Sequence, residues 1–248
     1  MTGDDALGLL RDVAVVVADA LARSSDWAPA GTRPGQYRSD LTADAAASDV
    51  LDRAGVGVLS EESGLRNGDR PVLVVIDPLD GSTNAHRRLP WYATSLCAVD
   101  ADGPLAAVVV NLASGVRFEA VRDRGATCDG VALRHSGCTV LGDAVVGLSG
   151  LPPHHLGWRQ FRAYGAAALD LCAVAAGVLD GFIDCSPDAH GVWDYLGGWL
   201  VCREAGVPVV DAHGRDLLVR DPAVRRTPVA AATPELLAQI VAARSAFP

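Results

Sequence analysis

The chain predicts a mixed α/β fold. Apolar residues at helical spacing alternate with short apolar runs bounded by turn residues, and three Asp-Gly or Ser-Gly pairs punctuate the middle of the chain. Leu7, Leu10, Ala14, Val17 and Leu21 mark one face of a helix over residues 4–23. Residues 24–40, rich in Ser, Pro and Gly, read as a loop reaching Asp40, and a helix from about Ala43 to Arg53 follows. Strand signals at 56–59 and 71–77 each run into an acidic segment. Residues 93–133 read as a meander with turns at Asp102-Gly103, Ser114-Gly115 and Asp129-Gly130. Beyond it lie a strand near 144–149, a helix at about 163–179, a strand at 181–184, a helix after Trp193 and a strand at 207–210. Thr233-Pro234-Glu235 supplies a cap, a first-turn proline and an early acid for a last helix. No linker interrupts this order, so residues 1–248 read as one domain with a soft subdivision near 140.

Composition narrows the function classes. Half of the 248 residues are apolar, yet no run approaches the 18 or so that a membrane span needs. The acidic start at Asp4-Asp5 lacks the basic-then-apolar pattern of a secretory signal, so a cytoplasmic protein is expected. A net charge of −9, with no basic stripe, argues against nucleic acid as a partner. All 21 basic residues are Arg. The six cysteines show neither Cys-x-x-Cys nor zinc-type spacing to His, which suits a reducing compartment.

Chemistry concentrates at residues 77–84, Asp-Pro-Leu-Asp-Gly-Ser-Thr-Asn, directly after the apolar run Val72–Ile76. Asp77 and Asp80 offer hard oxygen ligands of the kind Mg²⁺ or Ca²⁺ takes, and Pro78 stiffens the turn between them. The amides of Gly81, Ser82 and Thr83, opening a helix, would seat a phosphate. Singly, Asp-Pro and Asp-Gly are turn formers. Two further acidic segments accompany the string: Leu59-Ser60-Glu61-Glu62-Ser63-Gly64, and Trp193-Asp194-Tyr195-Leu196-Gly197-Gly198 followed by Glu204-Ala205-Gly206.

In that order and spacing the three segments resemble the inositol monophosphatase family, over roughly residues 5–245. The resemblance implies an α/β/α/β/α five-layer sandwich and a lithium-sensitive phosphomonoesterase that uses two or three Mg²⁺ ions, with Mn²⁺ as a substitute. By the same resemblance Glu61, Asp77, Asp80, Asp194 and the carbonyl of Leu79 hold the metals. Gly81, Ser82 and Thr83 hold the phosphate. Ser82 and an acid orient the attacking water, and Asp44 is the best candidate for that acid although Thr42 and Asp44 stand one residue closer than in the family pattern. Glu62 is a further candidate for polarising the water. Gly165, Ala166, Asp184 and Asp194 correspond to substrate contacts; Ala166 replaces a hydroxyl residue, and Asp184 matches an acid that binds a substrate hydroxyl. The stretch from Cys185 to Val192 is longer than in the shortest relatives and is expected to reshape the pocket. Arg33 or Arg38 stands in for a loop lysine, and a homodimer is implied. Such an acidic cluster is self-repelling, by about 4 kcal/mol per close pair at an effective dielectric near 20, so cations must fill it. Filled, it lowers the pKa of a water and neutralises the leaving alkoxide. The expected substrate is a small polyol phosphate, foremost myo-inositol 1-phosphate. Histidinol phosphate, fructose 1,6-bisphosphate and 3′-phosphoadenosine nucleotides are the alternatives, as is a non-catalytic phosphate-binding protein.

Overall fold

The computed structural model describes residues 1–31 and 35–247. It opens with helix α1 (Gly3–Arg23), capped by Thr2 and Asp5: the Thr2 hydroxyl accepts the Asp5 amide at 3.2 Å, and the Asp5 carboxylate accepts the Thr2 amide at 2.9 Å. Helix α2 spans Arg38–Ala54 and so starts five residues before the expected Ala43. Asp40 is the reason. Its carboxylate accepts the Tyr37 amide at 2.8 Å and closes the first turn early.

Strands β1 (Gly57–Ser60), β2 (Gly64–Arg66), β3 (Leu73–Asp80), β4 (Ala93–Asp100), β5 (Gly103–Asn111), β6 (Arg117–Val121), β7 (Ala126–Cys128) and β8 (Val131–Ala132) form one sheet, ordered β2-β1-β3-β4-β5-β6-β7-β8. The short helix α3 (Ser82–Arg87) leaves it between β3 and β4. The predicted meander is β4 to β8, paired antiparallel in succession. Strands β9 (Val145–Ser149), β10 (Gln160–Arg162), β11 (Gly181–Asp184), β12 (Val209–Asp211) and β13 (Pro228–Ala231) make a second sheet, ordered β10-β9-β11-β13-β12. Helices α4 (Ala167–Ala175), α5 (Val192–Glu204) and α6 (Pro234–Arg244) complete the chain.

Period-two alternation divides the core between layers. On β3, Val74 and Ile76 join the apolar cluster under α1 and α2, while Leu73 and Val75 face the cluster built on α4 and α5. That two-sided burial explains why β3 reads as an unbroken apolar run. Helices α4 and α5 contact both sheets, and α6 covers the far face of the second with Leu236 and Ile240. The layers therefore run α1α2, first sheet, α4α5, second sheet, α6, which is the five-layer arrangement. Thr233 caps α6 by accepting the Leu236 amide at 3.2 Å, as its sequence predicts. Helix α4 is shorter than the expected 163–179, because Gly165 adopts φ +84° and Ala166 is extended, so no helix passes through them.

Candidate metal and phosphate site

Three chain segments meet where β3 ends. Strands β1 and β3 run parallel with Ser60 opposite Ile76, and the Glu61 amide donates to the Ile76 carbonyl at 3.2 Å. This register sets Glu61 beside Asp77. Along the other edge of β3, Asp77 pairs with Ser95 and Asp80 with Ala93, so β3 spends one more residue than β4 over that stretch. In an unbroken strand, residues three apart point to opposite faces; the extra residue at Pro78-Leu79 restores both carboxylates to one side. Proline fits there because the bulge leaves its missing N–H without a ladder partner to serve. The Leu79 amide donates to Asp77 Oδ1 at 3.0 Å and holds that carboxylate in the turn.

The third segment is the start of α5. Asp194 lies in its first turn and accepts the Gly191 amide at 2.7 Å. Carboxylate oxygens of Glu61, Asp77 and Asp194 all lie within 4.8 Å of one another. Burial, reinforced by the charges of Glu61, Asp80 and Asp194, pushes the Asp77 carboxyl well above the usual carboxylate range. Asp80 is raised likewise, first by burial and then by Asp194. Three converging hard oxygen donors, whose charged forms are costly without a counter-ion, suit a divalent cation.

Asp80 stands slightly apart. Its Oδ2 accepts the Ala168 amide at 2.8 Å, so Asp80 caps α4 from another part of the chain and supplies the anion that Ala166, without a hydroxyl, does not. Gly81 follows with φ +80°, and a β-carbon there would lie 3.1 Å from Ala166 Cβ, the Gly165 carbonyl and the Trp91 carbonyl. The backbone at Gly81 is pressed onto residues 165–166, and only glycine permits that approach. Asn84 fastens the same junction, donating to the carbonyls of Trp91 at 2.7 Å and Tyr164 at 2.6 Å. Ser82 opens α3, and Thr83 is exposed with its hydroxyl 3.5 Å from that of Tyr37.

The other expected site residues have these surroundings. Starting at Arg38, α2 carries Asp44 well past its first turn, where Oδ1 accepts the hydroxyls of Ser60 at 2.5 Å and Ser63 at 3.2 Å. Asp44 thus braces the segment that bears Glu61 and Glu62. Glu62 itself accepts the Gln36 amide nitrogen, and its backbone amide donates to Ser60 Oγ at 3.1 Å. Asp184, expected to bind a substrate hydroxyl, is enclosed. It is 0% exposed, Oδ1 accepts the Ser186 amide at 2.8 Å, and Oδ2 lies 2.8 Å from His190 Nδ1. The stretch after Cys185 folds His190 back between Asp184 and the cavity. Of the two arginines, Arg33 lies outside the described residues, and Arg38 is exposed and paired with Asp26 at 2.6 Å.

Asp80 and Asp194 border a cavity of about 250 Å³ that Gly165, Ala166 and Ala167 also line. Its other polar lining is Ser149, Asp170 and His190, of which the last two escape a reading by motif. Asp170 is the lone acid of α4, a helix buried along its whole length, and Trp91 Nε1 donates to it at 2.8 Å. Burial pushes its carboxyl up to about 7, against the lowering effect of Trp91. Burial disfavours the charged form of His190, but the Asp184 hydrogen bond and the charges of Asp194 and Asp80 prevail and raise it to about 9.

Asp170 has a consequence for stability. Unfolded, an Asp titrates near about 3.9. Folded Asp170 keeps its proton up to about 7, so the folded state binds the extra proton between those values. Its contribution is fully present at the acid end and is lost as pH rises through the window, by about 1.4 kcal/mol per pH unit. Asp170→Asn, which keeps the oxygen that accepts from Trp91, is expected to flatten the fall in Tm between pH 5 and 7.5. Superimposable pH profiles for the two proteins would refute this.

Residues 40–247 match the model of the inositol monophosphatase family. The chain is 31% identical over 224 residues to the fructose-1,6-bisphosphatase/inositol-1-monophosphatase of Archaeoglobus fulgidus, covering 86% of this chain and 87% of that one. It is 36% identical over 211 residues to the inositol-1-monophosphatase of Mesorhizobium japonicum, covering 75% and 76%. Among solved structures, the extragenic suppressor protein suhB from Bartonella henselae aligns with a TM-score of 0.84 at 27% identity, over 97% of this chain and 98% of that one.

Proposed function

The chain belongs to the inositol monophosphatase family, and on that premise we propose that it is a Mg²⁺-dependent phosphomonoesterase acting on a small polyol phosphate, foremost myo-inositol 1-phosphate. The convergence of Glu61, Asp77 and Asp194 oxygens within 4.8 Å, beside the amides that open α3, carries this reading. Glu61, Asp77, Asp80, Asp194 and the Leu79 carbonyl would hold the metal, with Mn²⁺ a competent substitute. Mg²⁺ bound there supplies positive charge to the phosphate ester and lowers the pKa of water.

The chain's own residues do the rest. Backbone amides at Gly81, Ser82 and Thr83 orient the phosphate oxygens, aided by the positive end of α3. Gly165 and Ala166 wall the cavity against the leaving alcohol. Ser82 places the attacking water by its hydroxyl. Asp44 contributes by bracing Ser60 and Ser63, and Glu62, on the same segment, is a further candidate for polarising the water. The α4α5 layer packs against both sheets, which supports reading residues 1–248 as one domain. Six unpaired cysteines support a cytoplasmic setting, and a homodimer is the assembly expected of the family.

The Archaeoglobus relative also bears the name of a fructose-1,6-bisphosphatase, so the bisphosphate is the nearest competing substrate. The test is release of inorganic phosphate from myo-inositol 1-phosphate, fructose 1,6-bisphosphate, histidinol phosphate and a 3′-phosphoadenosine nucleotide, with Mg²⁺ and with EDTA. Inositol phosphate turned over only with Mg²⁺ is the expected result, inhibited by Li⁺ at tens of millimolar if Glu61 and Asp194 hold the weaker metal. Phosphate release unaffected by EDTA, or none from any ester, would remove the proposal.

A further inference from the structure

The wall of the cavity away from Glu61 and Asp77 carries a preorganised hydrogen-bonding pair. Parallel strands β9 and β11 end side by side, with Ser149 opposite Asp184. Asp184, wholly enclosed, accepts from His190 Nδ1 at 2.8 Å, which leaves Nε2 on the cavity side, 3.4 Å from Ser149 Oγ. The imidazole is further fixed by the edge-on ring of Phe182, with centroids 6.4 Å apart. Its backbone exchanges two hydrogen bonds with Arg226, at 2.9 and 3.3 Å. His190 is 11% exposed, and that exposure opens onto the cavity that Asp80 and Asp194 border. A side chain held this firmly loses little entropy on meeting a ligand.

We propose that His190, oriented by Asp184, is a specificity-determining residue: Nε2 and the Ser149 hydroxyl together bind a hydroxyl on the alcohol half of the phosphate ester. The assignment rests on the phosphatase reading above and says which part of the substrate the far wall recognises. The chemistry of that wall selects a neutral polyol over a second phosphate. Among the described residues, no arginine lines the cavity, so a second phosphate would find His190 there and no further basic side chain. A hydroxyl group, able both to donate and to accept, satisfies Ser149 and His190 together. The acid expected to touch the hydroxyl thus acts from behind, through the ring it aims.

The experiment compares myo-inositol 1-phosphate with phenyl phosphate, whose leaving alcohol has no further hydroxyl, in the Mg²⁺-loaded protein and in His190→Ala, Ser149→Ala and Asp184→Asn. The ratio of the two kcat/KM values is expected to fall by about 30-fold in His190→Ala, the size of one lost hydrogen bond to a charged partner, and to do so mainly through KM. Ser149→Ala should shift it in the same direction by about 5-fold. Asp184→Asn should lower the ratio and Asp184→Glu restore part of it. Equal losses on both esters in His190→Ala would overturn the inference while leaving the phosphatase reading intact, as would an unchanged ratio. No phosphate release by the unaltered protein from either ester would overturn both.

Discussion

Asp77→Asn is expected to lower Mg²⁺-dependent phosphate release by about a thousandfold or more, equivalent to about 4 kcal/mol of transition-state stabilisation, while raising the melting temperature of the metal-free protein. The two effects share one cause. Asp77 is 2% exposed, and its charge is opposed by burial and by Glu61, Asp80 and Asp194. Without a cation the folded state must protonate that carboxyl or tolerate the repulsion, and either response costs stability at neutral pH. Asparagine removes the charge, keeps the volume, and retains an oxygen that accepts the Leu79 amide now 3.0 Å from Asp77 Oδ1. A gain of about 1–2 kcal/mol in EDTA corresponds to about 2–8 °C for a chain of this size. The stabilisation that Mg²⁺ gives the unaltered protein should shrink correspondingly in the variant, because binding to the folded state is weakened. Thermal melts with and without Mg²⁺, beside phosphate release, separate these quantities. A variant that melts lower in EDTA, or turns over near-normally, would show that Asp77 is a structural acid.

What the residues disclose before folding, and what they conceal, divides along a physical line. Residues 72–84 were legible because the chemistry is local: an apolar strand, two acids, a proline and a glycine lie in one continuous stretch. The bulge that turns Asp77 and Asp80 to one side was not, since it depends on the register with β4. The β4 to β8 meander was legible from its turn glycines, whereas β2, β10 and β13 went unforeseen. β2 and β10 are three residues each, and β13 reads Pro-Val-Ala-Ala, where alanine carries little strand preference. Membership of such strands is decided by their neighbours. Asp170 did leave a trace, a single acid within nine otherwise apolar, buried residues. His190 lies in the stretch between Asp184 and Trp193, expected to reshape the pocket but with no residue singled out. Its role comes from the strand ends that bring Ser149 and Asp184 together, a contact between distant parts of the chain.

Gly198→Val is expected to be the most destabilising single change near the site, at about 3 kcal/mol or more, and to weaken Mg²⁺ binding without touching a ligand. Gly198 lies on α5 against α4. A β-carbon there would sit 2.7 Å from Leu171 Cβ and 2.9 Å from the Ala168 carbonyl. Both are atoms of or next to the backbone, so no rotamer change relieves the overlap, and the two helices must separate. Leu171 is fully buried and has no room to retreat. Separation acts on the site from two sides. Helix α5 carries Asp194, and α4 holds Asp80 through the Ala168 amide at 2.8 Å. The acids proposed to hold the cation would then be drawn apart. A fall in Tm of about 6–12 °C follows from the stability loss, with a smaller Mg²⁺-induced rise than in the unaltered protein. Gly8→Ala is the matched control. Gly8 lies in α1, and a β-carbon there would meet no atom within 4 Å, so helix preference alone should leave it neutral or raise stability by up to about 1 kcal/mol. Were Gly198→Val to melt with the unaltered protein and respond to Mg²⁺ as fully, the close approach of α4 and α5 would not be what sets the distance between Asp80 and Asp194.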